Sequence, residues 1–210
     1  MKCNLCPRRC NVDREKQEGV CRMPWDIYAA RAALHMWEEP CISAENGSGA
    51  VFFTGCTLRC VFCQNHEIAA GKRGQKIDES HLAEIFLKLQ QQKANNINLV
   101  TPTQYVLPII AAVKKAKAQG LKIPVVYNTS GYERVETLKN LEGIVDVYLP
   151  DFKYTNTTYA KRYSNAPDYF DVTKAALAEM VRQHPTPQFA DKQEAAVRGI
   201  VCVILKRRVA

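Results

Sequence analysis

At 210 residues the chain can bury a core of its own, as one domain with room for a small appendage. With 47% hydrophobic and 24% charged residues it reads as folded and globular, and no apolar run approaches the roughly 18 residues of a membrane span. The 29 Lys+Arg against 21 Asp+Glu leave a net charge of +8, but the basic residues are scattered, with short clusters such as Lys206-Arg207-Arg208; a solvated surface explains them more simply than a nucleic-acid footprint.

The opening Met1-Lys2-Cys3-Asn4 lacks the apolar stretch of a secretory signal, so a cytoplasmic location is expected. Nine cysteines, an odd number, in such a chain argue against a disulfide framework and for metal or redox chemistry. Four of them, Cys3, Cys6, Cys10 and Cys21, fall in a segment, residues 1–45, with little periodicity and no visible core. Zinc and a second iron–sulfur cluster both suit four thiolates, and either metal would supply folding energy that the segment lacks. Arg8 and Arg9 beside these cysteines can offset thiolate charge.

From Ala50 the pattern changes, and 46–210 read as the core domain. Ala50-Val51-Phe52-Phe53 predicts a short strand closed by Thr54-Gly55. Cys56, Cys60 and Cys63 follow at once, spaced C-x3-C-x2-C. Three thiolates in eight residues can wrap one face of a cube-shaped [4Fe–4S] cluster and leave the fourth iron open to a small molecule. The competing reading is a zinc site completed by another residue, such as His66.

A helix opened by Asp78 or Ser80 comes next, with Leu82, Ile85, Phe86 and Leu89 on one face. Ile97 to Val100 predicts a second strand ending at Thr101-Pro102, and a second helix carries Val106, Ile109, Ile110 and Val113 as far as Gly120. Pro124 to Tyr127 is a third strand ending in Asn128-Thr129-Ser130-Gly131; a short helix holds Val135, Leu138 and Leu141. Val145 to Leu149 is a fourth strand, ending in Pro150-Asp151-Phe152-Lys153. A helix within about 168–183, a polar connector from Pro185 to Arg198 and a β-rich run from Ile200 to Leu205 complete the chain. Alternating strands and helices predict an α/β fold with a parallel sheet, with ligands gathered at the C-terminal strand ends. Cys41 and Cys202 read as buried small hydrophobes. His35, Trp37, Glu38 and Glu39 are candidates to approach the active site, with the core as the simpler place for Trp37 and solvent for the two Glu.

The spacing C-x3-C-x-aromatic-C after a first strand resembles the signature of the radical S-adenosylmethionine (radical SAM) superfamily. The likeness extends to Cys3-Asn-Leu-Cys6-Pro-Arg-Arg-Cys10, His35-Met-Trp37-Glu38-Glu39-Pro40, Cys63-Gln64-Asn65, Asn96-Ile-Asn98-Leu-Val-Thr101-Pro102-Thr103, Val126-Tyr127-Asn128 and Tyr148-Leu-Pro150-Asp151-Phe-Lys153-Tyr154. Together, over residues 3–183, these resemble the pyruvate formate-lyase activating enzyme-like branch. The resemblance implies a [4Fe–4S] cluster on Cys56, Cys60 and Cys63, with S-adenosylmethionine as cofactor. It implies reductive cleavage of that cofactor to a 5′-deoxyadenosyl radical, a glycyl-radical-type protein substrate and a flavodoxin-like electron donor. Phe62 takes the aromatic position that lies against the adenine, and Asn65 belongs to the same motif. Thr101 and Thr103 stand where other members carry Gly-Gly-Glu, and a Pro-containing turn accounts for them equally well. Asp151 and Lys153 match an Asp-x-Lys segment of the activating enzymes: Lys can meet the methionine carboxylate, and Asp can accept from ammonium or ribose groups. A surface ion pair is the simpler alternative. Asn128 and Ser130 are candidates of the same kind.

The family continues with a strand-loop that the last run, Gly199 to Arg208, does not match. The expected fold is therefore a partial (β/α) barrel of radical SAM type, truncated at its C-terminus, with a Cys-rich N-terminal extension. Two rival functions are a zinc-stabilised nucleic-acid-binding module and an inactive remnant that holds a cluster without turning over.

Overall fold

The computed structural model describes residues 2–190 and 195–204. The strands are β1 (Ile27–His35), β2 (Ser48–Phe53), β3 (Gln75–Ile77), β4 (Ile97–Val100), β5 (Val125–Thr129), β6 (Val147–Phe152), β7 (Gln188–Phe189), β8 (Ala196–Ile200) and β9 (Val203–Ile204). Between them run α1 (Pro40–Ser43), α2 (His66–Ala69), α3 (Glu79–Gln91), α4 (Val106–Ala118), α5 (Val135–Lys139), α6 (Thr157–Ser164) and α7 (Tyr169–Gln183).

All nine strands join one sheet in the order β3-β1-β2-β4-β5-β6-β8-β7, with β9 continuing beside β6. From β2 to β8 the neighbours are parallel, while β1, β3 and β7 pair antiparallel at the two margins. The sheet is α/β, mostly parallel and not closed, which is the expected partial barrel. No described helix is long and apolar enough to cross a membrane.

Register explains which side chains reach the site. Val51, Leu99, Tyr127 and Tyr148 lie side by side across four strands and pack on the helices through Phe86, Ile109, Val113 and Met180. The next residues along, Phe52, Val100, Asn128 and Leu149, form the adjacent row. Because strand side chains alternate, that row faces the concave side. The long helices follow their predicted faces: Asp78 caps α3 by accepting from the His81 N–H at 2.7 Å, with Leu82, Phe86 and Leu89 buried.

Several elements differ from the sequence expectation. β1 lies inside segment 1–45, whose sequence shows little periodicity, and pairs with β2, so the sheet runs across the expected boundary. β6 extends to Phe152, which puts Asp151 inside the strand and not after it. The expected polar connector contains β7 and the start of β8. Leu205 and the Lys206-Arg207-Arg208 cluster lie outside the described residues.

Candidate cofactor and metal site

A cavity of about 570 Å3 opens at the C-terminal ends of the parallel strands. One wall is the loop after β2. There Gly55 adopts φ +84°, and a Cβ on it would stand 2.8 Å from the Cys21 carbonyl oxygen, so only glycine fits. Leu58 is driven wholly into an aromatic cluster of Tyr132, Tyr154 and Tyr169, which anchors the loop from below. This leaves Cys56, Cys60 and Cys63 half-buried on the cavity wall. Burial pushes the Cys56 thiol up to about 11, against hydrogen bonds from the Arg59 and Leu58 backbone that favour thiolate; Cys63 is raised for the same first reason, with Lys153 opposing. Such thiols stay protonated at neutral pH until a metal displaces the proton.

Every residue singled out from the sequence for the cofactor lines this cavity. Phe62 and Asn65 come from the cysteine loop, and Phe62 meets Tyr154 and Tyr163 edge-on at 6.2 Å between centroids. Thr101 and Thr103 come from just after β4, Asn128 and Ser130 from the end of β5, Asp151 from β6 and Lys153 from the residue after it. Lys153 Nζ lies 2.5 Å from Asp151 Oδ2, so the two form an ion pair, but one that faces the cavity. Thr101 holds a left-handed φ of +59°, a conformation that a β-branched residue adopts only where its surroundings require it.

Other residues enlarge the site. Arg31, His35 and Glu38 line the opposite wall. Burial and the nearby Asp151 raise the Glu38 carboxyl, and Asn128 donates to it at 3.4 Å. Trp37, expected in the core, is instead 88% exposed and lies at the cavity's edge. Cys202, expected to be buried, is exposed, and Cys41 is only half-buried. Behind the cavity sits Glu133, fully enclosed, accepting from Thr103 at 2.6 Å and from Thr129. Burial pushes its carboxyl up to about 7, and its second oxygen has no partner. Its position five residues after Asn128, in the same strand-end segment, was the one available signal.

The four cysteines of the N-terminal group do not line the cavity. They gather beside it, with Cys3, Cys6 and Cys21 buried and Cys10 half-buried. Burial pushes the Cys6 thiol up to about 12. Among the described residues, no three His, Cys, Asp or Glu side chains converge closely enough to hold a single metal ion, and His66 is exposed.

An open, mostly parallel α/β sheet with a three-thiolate loop at its strand ends defines a metallocofactor protein. The profile of the radical SAM superfamily matches residues 50–185, well over half the chain, and the chain belongs to that superfamily. It is also 35% identical over 181 residues to the uncharacterized protein MJ0674 of Methanocaldococcus jannaschii. The match covers 82% of this chain and 51% of that protein, so the chain spans about half the length of the curated relative. Members of the superfamily typically use a [4Fe–4S] cluster and S-adenosylmethionine. The donor set fits both: three thiolates leave one iron open, and the same cavity offers an anion, a cation and polar strand ends to a zwitterionic ligand.

Proposed function

We propose that the chain binds S-adenosylmethionine over Cys56, Cys60 and Cys63 and acts on a protein substrate in the manner of the pyruvate formate-lyase activating enzymes. One observation carries this reading: the three thiol ligands and the Asp151–Lys153 pair share a single cavity. Held by Cys56, Cys60 and Cys63, a reduced cluster would supply the single electron that cleaves the bound sulfonium into methionine and a hydrogen-abstracting 5′-deoxyadenosyl group.

The chain's own residues bind and orient. Lys153 turns from Asp151 to the methionine carboxylate, and Asp151 is freed to accept from the ammonium or the ribose hydroxyls. Phe62 offers its ring to the adenine, and Thr101, Thr103, Asn65, Asn128 and Ser130 supply polar contacts along the same wall. A glycyl-radical-type protein substrate suits a sheet that does not close, and a flavodoxin-like electron donor of acidic character suits the net charge of +8.

Anaerobic reduction of the reconstituted protein with S-adenosylmethionine is the test. The unaltered chain is expected to release 5′-deoxyadenosine and Cys60→Ala to fall to the blank. Cluster-loaded protein that releases none would leave the inactive-remnant reading standing. A doublet radical signal on a glycyl-radical-type partner, formed only with the active chain, would then establish the substrate class.

A further inference from the structure

Residues 2–26 carry no helix or named strand, only one isolated bridge between Lys2 and Asp13, yet they bring four thiols together. Gly19 marks the convergence: a Cβ there would stand 3.3 Å from Cys10 Sγ and 3.5 Å from Cys21 Sγ. Beside the thiols lies Arg14, only 1% exposed. Its guanidinium donates to the Met23 carbonyl at 3.0 Å, the Gln104 carbonyl at 2.7 Å, the Pro24 carbonyl and, at 3.9 Å, Cys3 Sγ. Among the described residues it has no carboxylate partner. A buried cation without a counter-anion is costly, so the thiol quartet is where the missing negative charge belongs.

Bound metal supplies that charge. Four thiolates on one zinc, or on one [4Fe–4S]2+ cube, leave a net charge of about −2. The spacing separates the two. A single zinc with bonds of about 2.3 Å draws its sulfurs to within about 4 Å of each other. Among the described residues no three side chains come close enough for a single ion, either at the quartet or at Cys56, Cys60 and Cys63. A cube spreads its thiolates over four corners, each on its own iron.

We infer that Cys3, Cys6, Cys10 and Cys21 hold a second iron–sulfur cluster, ligated by protein at every corner, which folds the N-terminal segment as a brace for the C-x3-C-x2-C loop. The brace is visible. Arg8 donates to the carbonyls of Thr57 (2.8 Å), Leu58 (3.1 Å), Ser164 (2.6 Å) and Asn165, and lies 5.3 Å from the centroid of the Tyr132 ring. The Cys21 carbonyl abuts Gly55, the residue before Cys56. With no open iron, this cluster has no place for a sulfonium ligand.

The inference is independent of the proposed reaction, and so is its test. Protein reconstituted anaerobically with ferrous iron and sulfide is assayed for iron, acid-labile sulfide and zinc. The unaltered chain should hold about eight irons, and the Cys56→Ala/Cys60→Ala/Cys63→Ala variant about four with matching sulfide. The variant's reduced paramagnetic signal should not change on adding S-adenosylmethionine. About four irons in the unaltered chain, or about one zinc without sulfide in the variant, overturns the inference. If the triple variant fails to fold, Cys10→Ala decides: loss of the insensitive signal alone supports the site, and retention of that signal overturns it.

Discussion

The two cysteine groups are neighbours, joined where the Cys21 carbonyl meets Gly55, and are built in opposite ways. Cys56, Cys60 and Cys63 lie on the rim of a packed sheet, half-open to a cavity whose other walls are strand ends. The N-terminal four lie in a segment without regular structure, outside that cavity's lining and beside a buried arginine. The first group is positioned by the packed sheet and the aromatic cluster beneath its loop. The second has no comparable scaffold, so whatever binds it is part of the folding energy. A site made for exchange keeps an open side; a site made for support closes every side.

That contrast can be broken most sharply at Arg14. If the quartet is anionic in the loaded protein, Arg14→Met should destabilise it by about 3 kcal/mol by leaving a buried charge unpaired. Metal-free protein should lose far less, as measured by denaturant unfolding of both forms. Equal losses in the two forms would mean that Arg14 serves only its carbonyl partners.

A similar effect is expected between the two groups, at Glu133. Its carboxyl is raised from 4.5 to about 7, so the protonated form is favoured by folding. The stability this contributes is complete below pH 4.5 and is lost as pH rises to about 7, at most about 3 kcal/mol. Glu133→Gln should flatten that slope in thermal melts, since an amide oxygen can still accept from Thr103 and Thr129. An unchanged slope would place the carboxyl's charge elsewhere.

A smaller loss is expected at Arg8. Arg8→Ala removes charge-assisted bonds to the loop of the trio while sparing the cysteines of both groups, and should cost about 2 kcal/mol. The loop's cluster should become more labile to chelators, while the quartet's iron persists. Equal lability at both sites would mean that the loop needs no brace.

Much of this was legible in the sequence, for physical reasons. β4, β5 and β6 are buried on both faces and read as short apolar runs, and α3 and α4 show a clean apolar stripe. The cysteine loop was legible because its ligands are contiguous. β1 was not: Ile27-Tyr-Ala-Ala-Arg-Ala-Ala-Leu-His is rich in alanine, with little of the apolar alternation of a strand. α6 is polar, fixed by the Asn156 cap and the left-handed Asn165, and its only buried residues are Ala160 and Ser164. Arg14, inside Asp13-Arg14-Glu15-Lys16, reads as a solvated charge, because its partners Met23, Pro24 and Gln104 are assembled only by the fold. Glu133 was missed and Trp37 misplaced for the same reason: one charged residue is enclosed and one aromatic is exposed by tertiary contacts that local pattern does not carry.

The hydroxyl of Tyr169, at the start of α7, lies 2.7 Å from the Ser130 carbonyl and 2.9 Å from that of Asp151, and accepts from the Lys153 N–H at 2.9 Å. A single phenol thus rivets two neighbouring strand tips and fixes the gap between them. Because the same hydroxyl also accepts from the Lys153 backbone, the placements of the outer helix and of the segment carrying the Asp151–Lys153 pair are mechanically joined, which makes the back of the molecule a lever on its mouth.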